Sequence, residues 1–295
     1  MIDRALYLPE EWAADDERRW KAGVPDDVSF ATKPKLGRAM VERAVAAGVP
    51  CAWVAADSVY GGDYALRLWL ERQPLGYVLA VTSKQRAPSG FDSVKIRTTT
   101  CFGADDWQRL SAGEGAKGPR LYDWAYKEYP SLQSGWNRGL LVRRSIAEPD
   151  KLTYYLTFAP DGTPVSTLVS VAGTRWTIES CFEAAKSEVG LDQYEVRTWT
   201  AWHRHVTLAM LALAFLTVVR AAAIGGSGDR RSPSRPSAAH RPGPEGQPQQ
   251  NPLPARQSRR PAASGSRRRY RLVTLATTSS TAGPAQPLEA THSNQ

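Results

Sequence analysis

The segment Cys51–Ala56 most constrains the fold, because it is an uninterrupted apolar run directly after a Gly- and Pro-containing turn. A strand of this kind is typical of a sheet that is covered on both faces. Gly76–Thr82 is a second such strand, helical periodicity covers Lys35–Ala47, and Asp63 is predicted to cap a further helix. Alternating strands and helices predict an α/β fold whose ligand site lies outside the carboxyl ends of the strands, where Asp57 follows the first run.

Composition divides the chain into four predicted regions. Residues 1–82 contain the α/β strands and begin with a strand predicted at Ile2–Leu8. Residues 83–171 contain short β-rich runs between turns and are expected to form a mostly β insertion. Residues 172–224 hold two helices, and residues 225–295 form a Pro-, Ser- and Arg-rich tail that is predicted to be disordered. The strands predicted within the insertion are Ser93–Thr99, Gly139–Arg144, Thr153–Phe158 and Val165–Val171.

Most of the formal charge of +9 belongs to the tail. Residues 225–295 contain 11 Arg, no Lys and 3 acids. The remainder of the chain then has 27 basic residues (38 − 11) and 26 acidic residues (29 − 3), a net charge of +1. Any nucleic-acid surface outside the tail is therefore expected to be a local patch. Three cysteines without paired spacing, and the lack of a secretion signal, predict reduced thiols and a cytoplasmic location.

The most apolar stretch is Val206–Val219, which spans about 14 residues and is followed by Arg220. A bilayer span needs roughly 20 residues. We therefore expect a buried helix that packs on the sheet, and no association with a membrane.

Three charged residues share one stripe of a predicted helix, Arg175–Lys186. At about 100° per residue, Glu179 and Lys186 lie roughly 40° and 20° from Arg175. Two cations beside an acid can hold a metal ion against a phosphate backbone, since Mg²⁺ prefers hard oxygen ligands. A solvated helix face with an ordinary i,i+4 ion pair explains the same spacing.

A second carboxylate strengthens the metal interpretation. Asp57 ends a buried strand, and Glu179 lies on a helix beyond the β-rich region. Two-metal phosphoryl-transfer sites combine carboxylates from a strand end and a packed helix, where two ions activate the attacking oxygen and stabilise the leaving one. The alternative for Asp57 is an acid that only caps the following turn. Glu183 lies about 80° from Arg175 and is a lesser candidate.

Several runs together resemble the DDE transposases of bacterial insertion sequences. They are Asp3-Arg-Ala-Leu-Tyr-Leu-Pro9, Val54-Ala-Ala-Asp57-Ser-Val-Tyr-Gly61, Arg175-Trp-Thr-Ile-Glu179, Lys186-Ser-Glu-Val-Gly-Leu-Asp192 and Tyr194-Glu-Val-Arg197. That family has a Tyr-x2-Arg-x3-Glu-x6-Lys signature, whose last three members match here, while the Tyr position is Ala172. The resemblance covers roughly Ile2 to Ala223.

The resemblance implies an RNase H-like fold with a β-rich insertion before the last catalytic helix. It implies that Asp57 is the second catalytic aspartate and Glu179 the catalytic glutamate, both binding Mg²⁺ or Mn²⁺. Arg175 and Lys186 would contact DNA phosphates. The implied activity is metal-dependent strand nicking at transposon ends, followed by transfer of the 3′-hydroxyl to target DNA. The implied partners are terminal inverted repeats, target DNA and a second copy of the chain.

The family's first aspartate stands on an earlier strand than the segment that Ile2–Leu8 resembles. We therefore expect a truncated, catalytically inactive copy that lacks two strands and one metal ligand, with Asp3 a poor substitute. One alternative is a non-catalytic DNA-binding derivative that regulates transposition, and another is an RNase H-like nuclease unrelated to transposition. The tail is either an out-of-frame sequence or a basic arm in which residues 267–271 bind phosphates.

Other polar and aromatic residues have structural explanations that we prefer. His203 and His205 are two apart on a predicted helix and point in different directions, so packing roles are expected. Arg143, Arg144 and Lys84 could line a DNA channel, but isolated basic residues are usually solvated surface. Trp107, Trp124 and Trp136 could stack an unpaired base, yet core positions are expected for them.

Overall fold

The structure is a computed structural model that describes residues 1–86, 102–115, 117–226 and 272–275. Its helices and strands alternate in the first third of the chain, and strands dominate the middle third. The helices are α1 (Glu10–Ala13), α2 (Asp16–Ala22), α3 (Lys33–Ala46), α4 (Ser58–Gly61), α5 (Tyr64–Glu71), α6 (Val165–Gly173), α7 (Arg175–Val189) and α8 (Trp199–Gly226). The strands are β1 (Trp53–Ala56), β2 (Gly76–Val81), β3 (Gln108–Gly115), β4 (Gly118–Pro130), β5 (Trp136–Arg144), β6 (Leu152–Pro160) and β7 (Leu272–Leu275).

All described strands belong to one mixed sheet in the order β3-β4-β5-β6-β2-β1-β7. The strands β7, β1 and β2 run parallel to one another. The pairs β2–β6, β6–β5, β5–β4 and β4–β3 are antiparallel. This arrangement confirms the α/β class. Within the region predicted as a mostly β insertion, β6 pairs directly with β2 through the register Tyr77↔Phe158 to Val81↔Tyr154. The described strands of residues 83–171 thus extend the sheet that contains β1.

Two apolar clusters cover the two faces of the sheet. One contains Val41 of α3 and Leu66 and Leu70 of α5, packed against alternate residues of the central strands. The other contains Leu168 and Val171 of α6, packed against the opposite face. Burial on both faces explains why β1 is apolar at every position, since all four of its residues are buried.

Two predicted strands are wrong. Val165–Val171 lies in α6, which begins after Pro164 and buries Leu168, Val169, Val171 and Ala172. Helical burial along one stripe outweighs the strand preference of its valine residues. Ile2–Leu8 has no regular secondary structure, and its Asp3 instead pairs with Arg43 of α3 at 2.8 Å. The predicted strand at 93–99 lies outside the described residues.

The helix α8 is not the buried helix that its apolar sequence predicts. Leu208, Leu211, Phe215 and Val218 are each about two-thirds exposed. By length and composition, Trp199–Ile224 is long and apolar enough to cross a membrane, with a mean hydropathy of 2.1. Only 11% of its most apolar 18-residue stretch is buried within the protein. Length and composition alone do not distinguish such a span from a helix that packs against protein. A single helix of this kind does not make the chain a membrane protein.

The chain divides into two units by its internal contacts. The first comprises residues 1–213 and 270–295, and the second comprises residues 214–269, of which only 214–226 at the end of α8 are described. The predicted tail contributes one strand to the first unit, since β7 pairs in parallel with β1 through the register Trp53↔Leu272 to Ala56↔Leu275. These four residues were expected to be disordered, but their backbone groups complete the hydrogen-bonding edge of β1.

Candidate functional site

Asp57 stands where β1 ends and the short helix α4 begins. Its side-chain Oδ1 accepts a hydrogen bond from the backbone N–H of Val59 at 2.9 Å, so Asp57 is the N-cap of α4. The carboxylate is partly exposed, while the strand before it and Tyr60 after it are buried. Asp57 therefore has the capping role that the sequence offered as an alternative, at the carboxyl end of a parallel strand as predicted.

The helix α4 is held tightly in place beside β2. A Cβ added to Gly61 would lie 2.0 Å from the carbonyl oxygen of Ala80, so only glycine permits this close approach. The buried guanidinium of Arg67 donates from Nη1 to the carbonyl oxygen of Gly61. Burial lowers the pKa of Arg67, and the nearby Glu71 opposes that shift. These contacts fix the backbone that carries Asp57.

A partly buried polar network supports α5 behind this helix. Arg138 of β5 donates to both carboxylate oxygens of Glu71, with an Nε–Oε1 distance of 3.0 Å. The hydroxyl of Tyr77 donates to Oε1 of the same carboxylate at 2.8 Å. One carboxylate thus joins α5, β2 and β5, and its charge also acts on Arg67. Burial and the Glu71 charge raise the pKa of Tyr77 well above its ordinary value, which keeps its hydroxyl a donor.

The charge of Asp57 acts on the buried side chain of Tyr60. Burial, followed by the Asp57 charge, raises the pKa of Tyr60 to about 12. The phenol therefore remains protonated at neutral pH, and it is not a general base for a reaction beside Asp57.

Glu179 has different surroundings. Its Oε1 lies 2.8 Å from Nη1 of Arg175, and both side chains are more than 40% exposed. Lys186 lies 3.8 Å from Asp192 rather than beside Glu179. Only Ala185 of α7 is buried. The structure thus brings Arg175 and Glu179 together as an i,i+4 ion pair, and it gives Lys186 a different acidic neighbour.

The metal-binding role of Asp57 and Glu179 stays a prediction. Carboxylates are the ligand type that Mg²⁺ or Mn²⁺ requires. Among the residues that the structure describes, however, no group of three or more His, Cys, Asp or Glu side chains could hold a metal ion. The donor set fits a divalent metal in chemistry but not as an assembled site, so no reaction step is derived through a metal.

The structure gives a definite position to each of the remaining histidine, tryptophan and lysine candidates. Nδ1 of His203 donates to the Trp199 carbonyl oxygen at 2.9 Å, and Nε2 of His205 donates to the Gly190 carbonyl oxygen at 3.1 Å, so both histidines have packing roles. Trp124 is 1% exposed, which confirms a core position. Trp136 stacks on Phe158 with ring centroids 4.8 Å apart, and Trp107 lies beneath Arg144. Lys84 is exposed.

The arginine pair 143–144 is divided between the two faces of the sheet. Arg144 lies 3.2 Å from Asp123, which also pairs with Arg109 at 2.9 Å. Arg143 lies on the opposite face, with its guanidinium carbon 4.5 Å from the centroid of the Tyr122 ring. The alternation of side chains along a strand would have separated these neighbours once β5 was recognised.

Comparison with known families gives one match. Residues 1–98, one third of the chain, match the family described as DDE superfamily endonuclease. This segment contains β1, Asp57 and β2, and the match supports a relationship with DDE-type transposases. No curated protein matches the chain.

Proposed function

We propose that the chain is a DDE transposase of the bacterial insertion-sequence type. It binds the terminal inverted repeats of a transposable element and target DNA, and its ancestral chemistry is metal-dependent nicking and transfer of DNA strands. The observation that carries the proposal is the family match over residues 1–98, in which Asp57 follows a buried parallel strand. The Arg-x3-Glu-x6-Lys spacing of α7 supports the same family beyond the matched segment.

In this proposal Asp57 and Glu179 are the carboxylates that would hold Mg²⁺ or Mn²⁺, and the ion would supply charge neutralisation at a DNA phosphate. Arg175 and Lys186 contact DNA phosphates on either side of Glu179. Oδ1 of Asp57 accepts the Val59 N–H, and this bond orients the carboxylate at the strand end. The chain acts on cytoplasmic DNA, and a homodimer would bring two element ends together.

The test is a nicking assay with the full chain and duplex fragments that carry the two ends of the element encoding it. Mg²⁺- or Mn²⁺-dependent nicks that disappear in Asp57→Ala and in Glu179→Gln would support the proposed site, and they would overturn the expectation from the sequence that this copy is inactive. Cleavage that persists in both variants, or that needs no divalent metal, would contradict the proposed site. Glu183→Gln is a matched control on the same helix, and its nicking should equal that of the unmodified chain.

A second candidate is a non-catalytic DNA-binding derivative that regulates transposition. It is favoured by the structural roles of both carboxylates, because Asp57 caps α4 and Glu179 pairs with Arg175. Specific binding of the element ends without nicking at any divalent-metal concentration would select this candidate over the transposase. A plasmid nicked without strand transfer to a target would instead select a nuclease unrelated to transposition.

A further inference from the structure

An arginine of β4 joins the sheet to the start of α7. Nη2 of Arg120 donates to the carbonyl oxygens of Ala112 at 2.8 Å and Gly173 at 3.0 Å. Gly173 ends α6 and precedes Arg175 by two residues, and a Cβ at this glycine would lie 1.8 Å from the Ala112 carbonyl oxygen. The guanidinium carbon of Arg120 lies 5.4 Å from the Trp176 ring centroid. Arg120 is therefore next to the first turn of α7.

A second arginine reaches the same region from β5. Arg143 of β5 lies opposite Trp124 of β4 in the strand register. Tyr122 and Arg120 stand two and four residues before Trp124, so their side chains share the face of Arg143. Its guanidinium carbon lies 4.5 Å from the Tyr122 ring centroid, and its Nη2 donates to Oγ1 of Thr153 at 3.0 Å.

The buried side chain of Tyr155 lies on the same face of the sheet as Arg143, two residues from Thr153 on β6. Burial raises the pKa of Tyr155, and the charges of Arg143, Arg175 and Arg120 all oppose that rise. The Tyr155 ring packs 5.9 Å from the Trp124 ring, on the same face of the sheet. Arg120 contacts the start of α7, where Arg175 stands, Arg143 lies over Tyr122 on the same face, and the charges of all three arginines act on Tyr155.

These arginines differ in how far their charge is neutralised. Arg120 and Arg143 donate to carbonyl and hydroxyl oxygens, and neither has a carboxylate partner among the described residues. Nε of Arg120 is buried without a hydrogen-bond partner in the described part of the chain. Arg175 shares its charge with Glu179. The three arginines and this one acid therefore have a net charge of about +2.

The opposite face of the same strands provides a contrast. Arg109 and Arg144 both pair with Asp123, which is only 14% exposed, and the pKa of Asp123 is lowered first by its hydrogen bond from Arg109. The two arginines and one acid of that face have a net charge of about +1, against about +2 for the three arginines and Glu179 beside α7.

We infer that Arg120, Arg143 and Arg175, here called the arginine cluster, bind phosphate groups of the DNA backbone. The inference rests on the proposed function and extends its DNA contacts from α7 onto β4 and β5. Guanidinium groups suit this ligand because their planar donors match phosphate oxygens and their charge is independent of pH in the working range. Each phosphate that they neutralise releases condensed counterions.

The test is the salt dependence of DNA binding by the full chain in EDTA, so that nicking plays no part. For duplex DNA, the slope of log K against log salt should fall by about 0.9 for each lost phosphate contact. Arg143→Gln should reduce the slope by about one contact, and the double variant Arg120→Gln with Arg143→Gln by about two. Arg143→Lys should restore most of the lost slope, because it keeps the charge while losing the planar fork.

Arg109→Gln is the charge-matched control, since its guanidinium is exposed on the other face and paired with Asp123. Its slope should equal that of the unmodified chain. An unchanged slope in Arg143→Gln, or an equal fall in Arg109→Gln, would overturn the inference. Because Arg120 also holds two backbone carbonyls, melting temperatures accompany each measurement, and Arg143→Gln decides the result if the double variant unfolds.

A competition series separates the two sources of phosphate. Duplex DNA should displace a labelled DNA probe at concentrations where inorganic triphosphate does not. Displacement by triphosphate alone, lost in Arg143→Gln, would identify a small-anion site and contradict the DNA assignment. Nicking in Mg²⁺ with unchanged salt slopes would leave the proposed function standing and reject the arginine cluster. The expected salt slopes without any nicking would support the arginine cluster and contradict the proposed strand-nicking activity.

Discussion

The two predicted metal-binding carboxylates lie in contrasting surroundings. Asp57 follows a fully buried strand, caps α4 and is backed by Tyr60, Gly61 and Arg67. Glu179 projects from α7, which buries only Ala185, and its contact is an ion pair with Arg175 on the helix surface. Asp57 is therefore held by contacts between several elements of the core, whereas the only ion pair of Glu179 among the described residues is with a neighbour on its own helix.

Because of this contrast, substitutions at the two carboxylates should differ in how much they destabilise the fold. A substitution beside Asp57 is expected to disturb the core, so loss of activity there would not by itself identify a catalytic residue. A substitution at Glu179 is expected to leave the fold intact, so loss of activity there would be informative. The following predictions test that difference, from the largest expected effect to the smallest.

Gly61→Ala should destabilise the protein by about 3 kcal/mol or more, because the new Cβ would meet the backbone carbonyl of Ala80. Urea unfolding followed by circular dichroism measures the loss. Gly62→Ala is the matched control, since Gly62 has a right-handed helical conformation and a Cβ there would lie 3.1 Å from the Ser58 carbonyl oxygen. Its cost should stay below about 1 kcal/mol, and a loss no larger than this for Gly61→Ala would show that α4 is not tightly packed against β2.

Glu71→Gln should cost about 2 kcal/mol. It removes the carboxylate that accepts from Arg138 and Tyr77, and it leaves the cations of Arg67 and Arg138 without their acidic neighbour. Breaking one partner of a fully buried pair costs about 3–5 kcal/mol, and partial exposure of Arg138 reduces that figure. Thermal unfolding measures the loss, and Glu42→Gln at the exposed Arg38 pair is the control.

Asp57→Ala should cost about 1 kcal/mol of unfolding free energy through loss of the N-cap, whereas Asp57→Asn should cost a few tenths. Asparagine keeps the side-chain acceptor and removes the charge. Chemical denaturation of the two variants therefore separates the capping role of Asp57 from its charge. A loss as large for Asp57→Asn as for Asp57→Ala would mean that the carboxylate charge itself stabilises the fold.

Glu179→Gln should change the free energy of unfolding by less than about 0.5 kcal/mol, because exposed i,i+4 ion pairs contribute little. The same denaturation experiment measures it. A cost above about 1 kcal/mol would show that Glu179 is held by more than Arg175, and the contrast with Asp57 would then be lost.

The sequence predicted most elements, but not their partners. Local patterns placed α3, β1, α5, β2 and α7 close to their observed bounds, and the Asp63 side chain caps α5 as expected. The pairing of β6 with β2 was missed because strand periodicity identifies which face is buried and not which strand lies alongside. Similarly, an apolar run predicts burial, yet α8 exposes Leu208 and Phe215.

Within the candidate site, the sequence predicted neighbours on one helix but not contacts between elements. The stripe of α7 correctly placed Arg175 beside Glu179, since helical spacing fixes that neighbour. Lys186 was placed less well, because Asp192 beyond the helix end is its nearer acid. The arginine cluster was not visible, since Arg120, Arg143 and Arg175 come from three elements whose proximity depends on the sheet register.

The parallel pairing of β1 with β7 has a consequence for synthesis on the ribosome. The register partners Trp53 and Leu272 are 219 positions apart (272 − 53). At about 5–20 residues per second, β1 would emerge roughly 10–40 s before its neighbour. During that interval the backbone groups on one side of β1 are available to any extended segment, including the same strand of another nascent chain. Chaperone capture or slow translation should therefore alter the yield of this chain more than its final stability would suggest.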